Sequence, residues 1–178
     1  FPTRPSSDLV TGTLAGGGAG PLDYSAYTTA VNVGLGGTAT STGGWTGITT
    51  AKGGSASDTI GGNSQTYHLT GLDAGNNGTV NWTSFENLAD AGTGTIATTG
   101  GQTYNLSGSN IGTVAGLLTG GFTGIGNLSD DTAGNFIFAD GAGVTGTLAG
   151  GGAGTLDYSA YTTAVNVGLG GTATSTGG

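Results

Sequence analysis

The chain has no cysteine, no methionine and only two cationic residues, Arg4 and Lys52. Without cysteine there are neither disulfides nor thiolate-ligated metals. A net charge of −8 leaves no basic footprint for nucleic acid and repels an anionic membrane surface. No apolar run nears the roughly 18 residues of a membrane-spanning helix, and no signal peptide is visible. No segment carries ten or so residues of 3.6-residue periodicity; Thr113 to Leu118 is the one stretch that reads as a helical turn. Charged residues make up 7% of the chain, too few for polyampholytic disorder, and the glycines lack the G-X-Y period of collagen.

What remains is a background of glycine (42 of 178 residues), threonine, alanine, serine and asparagine with Val, Ile, Leu, Tyr and Phe set regularly in it. That is the composition of short strands joined by tight turns. One long repeat organises it. Val10 to Gly44 returns as Val144 to Gly178, an offset of 134 (144 − 10), with Pro21 replaced by Thr155 as the single difference. The chain therefore divides into a leader (1–9), one full unit (10–143) and the opening of an identical next unit (144–178). The leader, FPTRPSSDL, shares nothing with the repeat and resembles the translation of a DNA-sequencing adapter; it is expected to be non-native.

Weaker echoes run inside the unit. Trp45-Thr46-Gly47-Ile48, Trp82-Thr83-Ser84-Phe85 and Phe122-Thr123-Gly124-Ile125 share an aromatic, a threonine, a small residue and an apolar residue, and the latter two continue into Asn87-Leu88 and Asn127-Leu128. Gln65-Thr66-Tyr67-His68-Leu69 pairs with Gln102-Thr103-Tyr104-Asn105-Leu106. Their spacings fall near multiples of about 19, which fits seven coils into the unit. Candidate strands recur at about half that interval, from Thr13-Leu14 through Val31-Val33, Tyr67-Leu69 and Thr95-Ile96 to Thr147-Leu148. In Val31 to Leu35 the apolar residues alternate with Asn32 and Gly34, the two-residue period of a half-buried strand. The expected fold is all-β, a fibre-forming parallel β-solenoid (a two-sheet β-roll or β-helix) with about 19 residues per coil. At about 4.8 Å per coil one unit would advance about 34 Å.

Asp140-Gly141-Ala142-Gly143-Val144-Thr145-Gly146-Thr147-Leu148, followed by GGGAGTLDYSAYTTAVNVGL, resembles repeats of large secreted bacterial exoproteins and adhesins of the haemolysin-like, RTX-related type. The resemblance covers nearly the whole unit. It implies an extracellular or cell-surface location, a β-solenoid and a role in adhesion, matrix or surface coats. RTX repeats bind calcium through G-G-x-G-x-D-x-U-x. The best match here, Gly53-Gly54-Ser55-Ala56-Ser57-Asp58-Thr59-Ile60, has Ala56 where the second turn glycine belongs, and the other matches lack the aspartate. Calcium takes six to eight oxygens, so one aspartate per several coils builds no row of sites, and Asp58 reads as a turn residue.

Catalytic chemistry is thin. His68, the only histidine, stands where the echo has Asn105, which points to a solvent-facing position. Asp130-Asp131 is the only adjacent carboxylate pair, without the basic helpers of a polysaccharide-cleaving site. The run Gly16 to Gly20 precedes no helix and no G-K-[ST], so it reads as turns rather than a phosphate loop. Trp45, Trp82, Phe85, Tyr67 and Tyr104 would stack on sugars if exposed, but they recur as core residues do. Asn77, Asn81, Asn105 and Asn127 head N-x-[ST] sequons in a threonine-rich chain. No catalytic, cofactor-binding or metal-binding residue is assigned, and the chain is not expected to be an enzyme. The leading expectation is an extracellular structural or adhesive solenoid whose partner is itself, by end-to-end stacking. The alternatives are a calcium-dependent RTX-type module and a glycan- or ice-binding solenoid using rows such as Thr38-Ala39-Thr40 and Thr95-Ile96-Ala97-Thr98.

Overall fold

The computed structural model describes residues 10–168, 171–173 and 176; the 1–9 segment lies outside the described residues. Among them there is no helix. The strands are β1 (Leu14–Asp23), β2 (Asn32–Gly34), β3 (Thr38–Ala39), β4 (Trp45–Lys52), β5 (Thr59–Gly61), β6 (Thr66–Gly71), β7 (Ala74–Asn76), β8 (Asn81–Thr83), β9 (Asn87–Thr98), β10 (Thr103–Gly108), β11 (Ile111–Val114), β12 (Gly121–Asp130), β13 (Asn135–Phe138), β14 (Leu148–Ala149), β15 (Thr155–Asp157), β16 (Val167–Gly168) and β17 (Thr172–Ala173). Thr113 to Leu118 is the end of β11 followed by a single turn, closed by Leu117 and Leu118 amides on the Val114 carbonyl.

Parallel pairing stacks the chain into a β-solenoid of about 4 turns. Four ladders of Cα partners carry the stack. They are Leu22, Ala51 and Trp82; Val33, Ile60, Leu88 and Phe122; Tyr67, Ile96, Leu128 and Leu148; and Tyr104, Phe136 and Leu156. In a parallel stack like side chains fall above one another, so each ladder is one continuous column of the core. Every member is buried except Leu148 and Leu156, at the far end of their columns. Burying a side chain of this size contributes about 1.5–3 kcal/mol, so the columns, with hardly a charge among them, hold the fold.

The coil is longer than the expected 19 residues: the spacing is roughly 29. Two features lengthen it. Sequence intervals that read as two strands are single bent ones, such as β1 and β9, each with register shifts where it turns the corner. And β6–β7–β8 and β10–β11–β12 are antiparallel excursions inserted between parallel rungs. Among these ladders the shorter period survives only in the last step of two columns, where Leu128 meets Leu148 (148 − 128 = 20) and Phe136 meets Leu156 (156 − 136 = 20).

The echoes of the sequence are structural equivalents. Gly47, Ser84 and Gly124 all take left-handed φ, at 63°, 58° and 67°. Each places the aromatic before it (Trp45, Trp82, Phe122) and the apolar residue after it (Ile48, Phe85, Ile125) inside the core. One left-handed residue between them turns both side chains to the same side, and a small side chain tolerates that backbone best.

Candidate functional site: the stacking faces of the coils

Several polar side chains bond one coil to another. Asp90 and Asp130 occupy equivalent corners ahead of the two Gln-Thr-Tyr segments. Asp90 accepts hydrogen bonds from the amides of Ser64 (3.0 Å) and Gln65 (3.1 Å) and from the Tyr67 hydroxyl (2.9 Å). Asp130 accepts from the amides of Gly101 (3.0 Å), Gln102 (2.9 Å), Thr132 (2.9 Å) and Ala133 (3.1 Å), and from the Thr98 hydroxyl (2.8 Å). Burial pushes the Asp130 carboxyl up, but the amides and the Thr98 hydroxyl outweigh it and hold the group down at about 2. Burial raises the Tyr67 and Tyr104 phenols well above their ordinary range, and Tyr24 to about 12.

A second pair of clamps joins each coil to the next. Asp73 and Asn110, both at left-handed φ on the tips of equivalent hairpins, reach forward. The Asp73 carboxylate accepts from the amide and hydroxyl of Thr119, both at 2.8 Å, and the Asn110 carbonyl oxygen accepts from the Thr145 amide at 2.9 Å. One residue further on, Gly120 and Gly146 sit directly on the side chains of Asn87 and Asn127. A Cβ at either glycine would meet the asparagine Oδ1 at 2.1 Å. Asn87 and Asn127 in turn donate to carbonyls of the preceding coil, Asp58 and Thr93 respectively, at 3.0 and 3.2 Å. These asparagines and Asp90 are functional residues of the stack that sequence reasoning missed. The signal was present in the shared Asn-Leu of the two echoes, followed 33 (120 − 87) and 19 (146 − 127) residues later by Thr-Gly.

The residues singled out from sequence fall as follows. Trp45, Tyr67, Trp82, Phe85 and Tyr104 are all buried. Trp82 lies at 6.0 Å and 70° to Tyr67, and its Nε1 is buried without a hydrogen-bond partner. His68 and Asn105 are both exposed, on β6 and β10. Gly16 to Gly20 lies within β1, where the register against β4 shifts. Asp58 is fully buried, and its two carboxylate oxygens accept from the amides of Val31 (2.8 Å) and Gly54 (2.5 Å), pinning the turn to the preceding coil. Asp130 and Asp131 part company: Asp130 is inside and Asp131 caps Gly100 and Thr132 on the surface. Of the threonine rows, Thr98 is turned inward against Tyr104 and Asp130, so the Thr95–Thr98 row is not an exposed array. Asn77 closes its own turn by accepting from the Thr79 and Val80 amides, Asn81 and Asn105 are exposed on strands, and the Asn127 amide is engaged in the stack.

The two copies of the 35-residue repeat make the stacking faces visible. Part of their local geometry agrees, although residues 14–23 form one strand where 148–157 form two. Gly17 and Gly151 have φ of 62° and 63°, and Gly37 and Gly171 of 102° and 97°. The Ser25 and Ser159 amides each donate to an aspartate, Asp23 or Asp157, at 2.8 Å. Tyr24–Tyr27 and Tyr158–Tyr161 pack edge to face at 5.0 and 5.2 Å. Their neighbours differ. The first copy pairs forward, β1 with β4 and β2 with β5; the second pairs backward, β14 with β12 and β15 with β13. Between them the copies show both faces of one rung.

The fold places the chain among parallel β-solenoids. No family model, no curated protein and no solved structure matches the chain.

Proposed function

We propose that this chain is an extracellular structural element, a β-solenoid that lengthens into a fibre or surface stalk by adding coil upon coil. One observation carries the reading: the same 35-residue sequence is bonded on its forward face in one place and on its backward face in the other, so the rung is built to be covered on both sides. The clamps add to it, since Asp73, Asn110, Asn87 and Asn127 spend their side chains on the neighbouring coil. An adhesive role and a location outside the cell follow from the resemblance to exoprotein repeats and belong to the proposal. So does the structural rather than catalytic character. The calcium reading is not favoured, because both oxygens of Asp58 are taken by backbone amides and the exposed loops offer no repeated aspartate. The ice- or glycan-binding reading loses part of its array with Thr98 inside.

Electron microscopy of concentrated protein, with diffraction from aligned material, tests the reading. Filaments with an axial spacing near 4.8 Å are expected. Compact monomers at every concentration would remove it.

A further inference from the structure

We propose that the outer face of the β2–β5–β9–β12 sheet binds a neutral polysaccharide chain laid along the solenoid axis. The site is separate from the stacking faces and does not depend on self-stacking. Every residue that forms it lies between 32 and 123.

The two-residue alternation of the strands makes this face. Val33, Ile60, Leu88 and Phe122 are buried, so the residues flanking each of them point outward. On one flank these are Asn32, Thr59, Asn87 and Gly121, and on the other Gly34, Gly61, Ala89 and Thr123. Gly34, Gly61 and Ala89 leave a floor of bare backbone and one methyl. Over it lie two open cavities, about 610 Å³ across β2, β5 and β9 and about 450 Å³ across β5, β9 and β12. Thr59 lines both, so they join into one trough crossing four rungs. Three steps of about 4.8 Å make it about 14 Å long. Each step is close to the length of one sugar in an extended pyranose chain.

Hydrogen-bonding capacity assigns the ligand. Asn87, Asn127, Asp73 and Asn110 are engaged with neighbouring coils. In the trough, by contrast, the side chains of Asn32, Thr38, Thr59, Ser107, Thr113 and Thr123 make no hydrogen bond among the described residues. Ile111, 43% exposed, adds an apolar wall. Free hydroxyls beside an apolar floor match a sugar ring, whose own hydroxyls surround a C–H face.

The two aspartate corners give the second, independent argument. Gly61 faces Ala89 as Ala97 faces Ser129, so Gly62 holds the place beside Asp90 that Thr98 holds beside Asp130. At Asp130 the corner is closed: the Thr98 hydroxyl bonds the carboxylate at 2.8 Å, and Asp130 is 2% exposed. At Asp90 glycine supplies no hydroxyl, Gln65 leans over Gly62 instead, and the half-buried carboxylate lines the trough. A ligand hydroxyl there repeats the Thr98 bond. Charge then narrows the class of sugar. No cation lines either cavity, and Lys52 stands on the β4 ladder with Asp23 and Thr83. A phosphate, sulfate or uronate would find no partner and would be repelled by Asp90.

The test is titration of the isotope-labelled full-length chain with neutral gluco-, xylo-, manno- and N-acetylchito-oligosaccharides, and with oligogalacturonate as the anionic probe. One neutral series is expected to shift amides within 32–38, 59–65, 87–91 and 111–123 and to leave β4 and β8 unmoved. Thr59→Trp, which fills the junction of the two cavities, should weaken that binding about tenfold or more, and Thr50→Trp, exposed on β4, should leave it unchanged. Should Thr59→Trp not fold, the map on the unmodified chain decides. No binding of any neutral series, shifts confined to another face, or tighter binding of oligogalacturonate would each overturn the proposal. So would trough shifts produced by raising protein concentration alone, which would make a second copy the occupant. Filament formation reads self-stacking separately, so the two proposals fail independently.

Discussion

The first and second copies of the repeat differ at one residue of 35, yet they are buried in different places: Leu22 and Val33 are inside where Leu156 and Val167 are exposed, and Val144 is inside where Val10 is exposed. Val31 and Val33 are buried in the first copy, while Val167, the counterpart of Val33, is among the most exposed large apolar residues described. Gly146 rests on Asn127, but its counterpart Gly12 has nothing within 4 Å of where a Cβ would be. The lesson concerns where a solenoid's stability resides. Turn geometry is encoded inside each rung, and burial is supplied by the rungs on either side.

The comparison can be broken by paired substitutions read in urea or thermal unfolding. The largest contrast is Leu22→Ala against Leu156→Ala. The first is expected to cost about 2–5 kcal/mol and the second less than about 1 kcal/mol; equal costs would contradict the account. Next is the interior corner, which an acid titration separates from both ends. Asp130 carries a folded-state value of about 2, below its ordinary 3.8. Its contribution, about 2 kcal/mol, is therefore complete above about pH 4 and is lost as pH falls to about 2. Asp130→Asn should lower stability at pH 7 and flatten that acid limb, whereas removing Asp23 or Asp157, each held low chiefly by a serine two residues on, should change it less. Gly146→Ala should then cost about 1–3 kcal/mol by driving a methyl into Asn127, against no more than about 0.5 kcal/mol for Gly12→Ala. The smallest contrast is the natural one. Thr155→Pro removes the bond to Gly134 and should cost about 1 kcal/mol, with Pro21→Thr near neutral.

The parallel β-solenoid was legible in the strand-and-turn composition and in the periodic apolar residues, and so was the inward place of Trp45, Tyr67, Trp82, Phe85 and Tyr104. The coil length was not. Spacing between echoes counts residues but does not tell a rung from an excursion, and β7 and β11 are short strands that look like any other in sequence. Nor does local pattern reveal a bend: β9 joins Asn87-Leu88 and Thr95-Ile96, two apparent strands, through Gly92 at φ 105°. Thr98 was misjudged as part of an outward row because alternation is read within a strand, while its partners are Tyr104, six residues on past the turn, and Asp130, on the next coil. The clamps escaped for the same reason. Asp73 and Thr119 are distant in sequence, and only the stacking brings them together.

Hydrogen exchange of the monomeric chain tests most directly the claim that neighbouring rungs, not the rung itself, confer stability. The amides of residues 31–34 and 165–168 have identical sequence surroundings, so free-chain rates cancel. The account predicts strong protection at 31–34 and much weaker protection at 165–168, where Val167 and Gly168 pair only within the β16–β17 hairpin. Equal protection of the two segments would contradict it.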